Sequence, residues 1–136
     1  MAVIFWLSSR TAEESSAQSG AILDFLIDIF GENVFTVFIV RKSAHCLEFT
    51  GLSLLFNISL YFTKDRPMYL YATAFTSLYA VTDELHQLFV EGRSCQLGDW
   101  AIDTGGAVLG TIGFLVIFHI FKYVHNRKNI VDRGNN

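Results

Sequence analysis

The sequence predicts an all-α integral membrane protein: a bundle of about four helices, the first truncated, with an amphipathic helix added on its outer side. Three observations predict it. The 136 residues are 51% hydrophobic, with a mean hydropathy of +0.38 and one proline, which lies on the membrane side of ordinary globular usage. Three apolar runs, residues 34–62, 68–90 and 99–123, are each long enough to cross about 30 Å of hydrocarbon at 1.5 Å per residue. Before them, Ile22, Phe25, Leu26, Ile29 and Phe30 recur at i, i+3, i+4, i+7 and i+8, with Asp24 and Asp28 off that stripe, which is one apolar helix face.

Met1 to Leu7 is apolar but far short of the roughly 20 residues of a spanning helix. It has no basic start and no small-residue cleavage site, so it is a poor signal peptide. Two readings stay open: the tail end of a first transmembrane helix, or an interfacial anchor. Residues 8–20 are polar and read as loop or helix start. The amphipathic helix that follows ends at Gly31. Without basic residues on its polar face, it is expected to pack on the protein rather than grip anionic lipid.

The first full span is interrupted by Arg41, Lys42, His45 and Glu48, yet residues 44–63 alone are long enough. Pro67 suits the first position of the next helix, and Tyr69 and Tyr71 sit where interfacial aromatics belong. Residues 91–97 form a loop with a turn at Glu91-Gly92-Arg93-Ser94. Asp99 is placed to cap the last helix. The expected organisation is one domain over residues 1–126 and a basic, disordered cytoplasmic tail over 127–136. Lys64, Arg66 and the basic residues near the C-terminus share a face if the spans alternate. The bias toward positive charge in the cytoplasm then places that face and the C-terminus inside, in a multi-pass protein of the bacterial inner membrane.

Net charge is −3, so no basic field points to nucleic acid. Cys46 and Cys95 have no metal-ligand spacing and do not decide between free thiols and a disulfide.

The informative feature is depth. His45 stands 19 residues before Lys64, Glu84 18 after Arg66, and Asp103 19 before Lys122. At 1.5 Å per residue each lies roughly 27–29 Å from the inner charges, the thickness of the hydrocarbon core. Separate helices thus bring ionisable groups to one level at the outer boundary. Arg41, His45 and Glu48 are spaced i, i+4, i+7 and face one way, while Asp83 with His86 or Gln87, and Asp99 with Asp103, are one turn apart. Lys42 and Arg10 read as snorkelling groups. Glu48 and Asp83 sit a turn inside the boundary, where an unpaired carboxylate is costly, and pairing with Arg41 or Arg93 is the structural alternative to function. His119 and His125 lie near the inner face, too far along the helix to join the group. Gly106, Gly110 and Gly113 lie near one helix face and read as close packing.

At these residues the sequence resembles the VanZ-like family. The pieces are Arg41-Lys42-Ser43-Ala44-His45 with Glu48, then Asp83-Glu84-Leu85-His86-Gln87-Leu88-Phe89, then Glu91-Gly92-Arg93-Ser94, and Asp99 followed by Asp103-Thr104, Gly106 and Gly110. Arg10 stands where that family commonly has glutamine, and Asp103 where many members have asparagine. The resemblance implies a small bacterial inner-membrane protein of about four helices, associated through the family's namesake with lower susceptibility to a lipoglycopeptide antibiotic. It also implies kinship with membrane enzymes that act on phospholipid or lipid-linked headgroups. The cofactor stays open, a divalent cation being the candidate.

Two functions are consistent with this. One is an enzyme acting on the phosphate-bearing headgroup of a membrane lipid or lipid-linked wall precursor. Arg41 and Arg93 would clamp phosphate, as guanidinium does bidentately. Gln87, Asp99 and Asp103 would complete the binding site. His45 or His86 would be base or nucleophile, oriented by Glu48 or Glu84, and the other histidine the acid. Asp83 and Asp99 would orient these, or hold a divalent cation with the phosphate. The alternative is a non-catalytic binder of lipid or of a partner membrane protein. Nothing bears on oligomerisation.

Overall fold

The computed structural model describes residues 1–30, 36–93 and 96–134. They form α1 (Ala2–Ser8), α2 (Ala12–Phe30), α3 (Val37–Lys64), α4 (Tyr69–Gln87) and α5 (Leu97–Gly134), with no strand among the described residues. This is the all-α bundle expected from composition and periodicity, with a short first helix and an added helix at its side. The expected stop at Gly31 and part of the loop at Ser94 and Cys95 lie outside the described residues.

Local chemistry explains most helix ends. Thr11 and Glu14 form a reciprocal cap: Glu14 N–H donates to Thr11 Oγ1 at 3.2 Å, and Thr11 N–H donates to Glu14 Oε2 at 3.1 Å. The amphipathic helix therefore starts at Ala12, inside a stretch read as loop or helix start. The signal was present, since Thr11-x-x-Glu14 is a capping box. Thr36 caps α3 by accepting from Ile39 N–H at 3.3 Å. The helix ends where Asp65 turns left-handed at φ 53° and donates its N–H to Tyr61 O at 2.8 Å. Pro67 lies just before α4 rather than at its first position, with Met68 as the cap residue. Similarly, α5 begins two residues before Asp99, so Asp99 sits in the first turn instead of capping it. Helix α5 continues as far as Gly134, through the residues expected to form a separate tail.

Packing is dominated by α3 against α5, with α4 across both and α2 against α3. Gly106 and Gly110 make the α3–α5 approach possible. A Cβ at Gly106 would enter the Cys46 carbonyl, and one at Gly110 the Thr50 carbonyl, whereas Gly113 has open space. The apolar core is small: Ile4 of α1, Phe49 and Leu52 of α3, and Ala80 of α4. Much of the interior is polar. Ser53, Asn57, Thr76 and Thr111 are buried. Thr111 Oγ1 shares hydrogen bonds with Ser53 Oγ at 3.0 Å and Thr73 Oγ1 at 2.7 Å, and accepts from Asn57 Nδ2 at 3.1 Å.

The outside is the reverse. Phe62, Phe89, Leu97, Leu70, Phe121 and Leu47 are among many large apolar side chains left uncovered, far more than a water-facing surface tolerates. Among the described residues two helices, Val37–Lys64 and the Leu97–Arg127 part of α5, are long and apolar enough to cross a membrane. Helix α4 was expected to be a third. Its polar residues, from Thr73 and Thr76 to Asp83, Glu84 and Gln87, keep it out of that class, and several of them face inward onto α3 and α5. A small polar interior under an apolar exterior is how helices associate in lipid, where apolar contact gains nothing over acyl chains.

Candidate functional site

The first turns of α3, the last turn of α4, the loop after it and the first turns of α5 meet at one end of the bundle. Arg41, His45 and Glu48 line a single cavity of about 410 Å³, joined by Arg93 from the loop and by Ser15, Gln18 and Ser19 from α2. Leu7, Ala21, Ile22 and Ala44 supply its apolar wall. A smaller recess of about 50 Å³ adjoins it, lined by Arg41, His45, Gln87, Arg93, Gln96 and Asp99 among others. Helical spacing accounts for the α3 set, because positions i, i+4 and i+7 share a face. Gly92 accounts for Arg93: its φ of +73° turns the chain, and Arg93 N–H closes the turn on Val90 O at 3.2 Å.

Asp103 comes from α5 with 1% of its surface exposed, and its Oδ1 stands 3.9 Å from His45 Nδ1. Asp83 and Glu84 are also buried. Gln87 Nε2 donates to Asp83 Oδ2 at 3.0 Å, and the backbone N–H of Gln96 donates to Glu84 Oε2 at 3.0 Å. Asp83 and Arg93 are near enough to Glu48 to act on it electrostatically, as Asp83, Glu84, Asp99 and Glu48 act on Asp103. Of the ten residues proposed from the sequence, nine therefore lie in or against this cluster.

His86 is the exception. Its ring stacks on Phe5 of α1, centroids 4.3 Å apart, and it lines neither cavity. Its spacing from Asp83 allowed a place in the cluster, but the α1 contact takes its ring elsewhere. Two residues set aside as snorkelling groups have partners. Lys42 Nζ forms an ion pair with Asp99 Oδ1 across α3 and α5. Arg10 pairs with Glu14 at 3.5 Å and lies over the Trp6 ring at 4.5 Å. Ser15, Gln18 and Ser19 were not anticipated, although their i, i+3, i+4 spacing marks a polar face. Cys46 is a free thiol, and Cys95 lies outside the described residues.

Burial, then the neighbouring Arg41 guanidinium, hold Arg93 below the usual arginine range, while Asp83, Glu48 and Glu84 act in the other direction. A guanidinium remains protonated at any physiological pH despite this. Several buried atoms in the cluster lack a hydrogen-bond partner: His45 Nδ1, Asp83 Oδ1, Arg93 Nε and both carboxylate oxygens of Asp103. Unpartnered buried polar atoms are rare in folded proteins and each calls for an explanation. Among the described residues, no group of three or more His, Cys, Asp and Glu side chains is arranged to hold a metal ion. Of the two aspartates expected as cation ligands, Asp83 accepts from Gln87 through Oδ2 and Asp99 pairs with Lys42.

A family model described as VanZ/LLP1 matches residues 1–121. The chain belongs to the VanZ/LLP1 family. Neither curated proteins nor solved structures give a match. The matched region of this VanZ/LLP1 protein contains the whole cluster and both cavities. Family membership and the two candidate spans together make it a membrane protein.

Proposed function

We propose that this VanZ/LLP1 protein binds the phosphate-bearing headgroup of a membrane lipid or lipid-linked wall precursor at the outer boundary of the bacterial inner membrane, and acts on it. The observation that carries this reading is the convergence of Arg41 and Arg93, from a helix and a loop, on the cavity wall that holds His45. Two guanidinium groups beside an imidazole suit an anionic phosphodiester, because their planar donors match phosphate oxygens. The apolar exterior of the bundle suits the lipid tail.

His45 acts as general base. It takes a proton from water, the water oxygen bonds to phosphorus, and the ester bond to the departing alcohol breaks. The imidazolium then returns the proton to that alcohol's oxygen, leaving a phosphomonoester. An alcohol in place of water gives headgroup exchange by the same route. Asp103, beside His45 Nδ1, and the nearby Asp83 and Asp99 stabilise the imidazolium formed in between. His45→Ala in purified protein should lower headgroup release or exchange by about 100-fold or more, and unchanged turnover overturns the catalytic reading. Altered surface lipid would be the route to changed glycopeptide susceptibility.

A non-catalytic binder is the second reading. The Lys42–Asp99 pair and the Gln87–Asp83 hydrogen bond favour it, since both use site residues to hold the structure together. On that reading His45→Gln retains function in cells, which an acid–base catalyst would not allow.

A further inference from the structure

The 410 Å³ cavity has two chemically different walls. Helix α3 and the loop supply charge: Arg41, His45, Glu48 and Arg93. Helix α2 supplies Ser15, Gln18 and Ser19, which carry no charge and both donate and accept hydrogen bonds. The acidic residues of α2 stay off this wall: Glu13, Asp24 and Asp28 are exposed, and Glu14 is held by Thr11 and Arg10.

We propose that the α2 wall reads free hydroxyls, so that the ligand is a lipid phosphodiester with a polyol headgroup, of the phosphoglycerol or phosphosugar kind. This rests on the reading that the cavity takes a lipid phosphate and names the class of headgroup. Size agrees. A cavity of 410 Å³ equals about 14 water volumes at roughly 30 Å³ each, enough for a headgroup but not for acyl chains. Chemistry excludes the common alternatives. Among the described residues no Phe, Tyr or Trp lines the cavity, so a quaternary ammonium would lack its usual cage. A primary ammonium would sit between two guanidinium groups, with Glu48 the one carboxylate among the described lining residues, itself close to Arg93. A polyol meets no such repulsion.

The test uses the full chain in nanodiscs of phosphatidylcholine, titrated with phosphatidylglycerol or phosphatidylserine. These two carry the same net charge, but only the first has free neutral hydroxyls. Thermal stabilisation and competition should favour phosphatidylglycerol by about tenfold, the effect of one or two net hydrogen bonds. Gln18→Leu changes an exposed side chain and should fold, and with Ser15→Ala it should bring the ratio near one by weakening phosphatidylglycerol more than phosphatidylserine. A preference that survives in this variant, or equal binding of the two lipids by the native chain, overturns the polyol assignment. Arg41→Ala should weaken both lipids alike. If it weakens neither, the phosphate reading itself fails. Soluble glycerol phosphate separates the sources: weaker stabilisation than by the lipid is expected, and stabilisation equal to it overturns the lipid assignment.

Discussion

At His86 the ring lies on Phe5, and at His45 it lies beside a carboxylate that almost no solvent reaches. The same side chain therefore has different work in the two places. His86→Ala should leave headgroup turnover within a few-fold of the native protein and lower its thermal stability, because an aromatic stacking partner is lost at a cost of about 0.5–1.5 kcal/mol. Parallel assays with His45→Ala make the comparison, and equal loss of turnover in both would return His86 to the reaction. Sequence spacing could not separate them. It shows that His86 is one turn from Asp83, but α1 decides where the ring rests, and that contact joins residues 81 positions apart. Lys42 was misjudged for the same reason, since its partner Asp99 is 57 positions away. Arg41, His45 and Glu48 were legible because a single helix holds all three. A different residue-scale expectation concerns Thr111, whose one hydroxyl meets Ser53, Asn57 and Thr73. Thr111→Val should cost about 1–3 kcal/mol by thermal unfolding in detergent, as buried partners lose their hydrogen bonds.

Among the elements, α3 and α5 stand close enough for their backbones to touch at two glycines. Gly110→Ala should destabilise the protein by several kcal/mol, because its Cβ would meet the Thr50 backbone carbonyl, which cannot yield as a flexible side chain does. Gly113→Ala, with open space around it, should instead gain about 0.5–1 kcal/mol from helix propensity. Unfolding curves of the two variants measured side by side check the contrast. Placing all three glycines near one face was as far as spacing could go. Which two face α3 depends on the rotation of α5 about its axis, and that is set by packing. Helix types and their order were legible from period and length. The start of α2 was read too late because its polar first turns hid a cap that Thr11 and Glu14 make between themselves.

Across the whole molecule, the site occupies one end and Lys64 and Arg66 the other. If the bias toward positive charge inside holds, Glu91 is expected on the periplasmic side and Lys64 on the cytoplasmic side. In a background of Cys46→Ala and Cys95→Ala, a membrane-impermeant thiol reagent added to intact spheroplasts should label a Glu91→Cys variant and spare Lys64→Cys until the cells are lysed. The reverse pattern would turn the site inward and remove external lipids from consideration. Depth arithmetic was the strongest whole-molecule signal in the sequence, because three helices each repeat the same distance from a basic end. The α2 wall escaped it, since α2 has no basic anchor from which to count.

One backbone hydrogen bond, from Ala12 N–H to Glu91 O at 3.2 Å, ties the beginning of α2 to the turn that carries Arg93, and the Ala12 methyl lies where a side chain at residue 92 would have to go. The uncharged wall is thus fastened to the turn that carries one of the two guanidinium groups. On the proposed reading, a shift of α2 would carry Arg93 with it, so that hold on phosphate and hold on hydroxyls would change together.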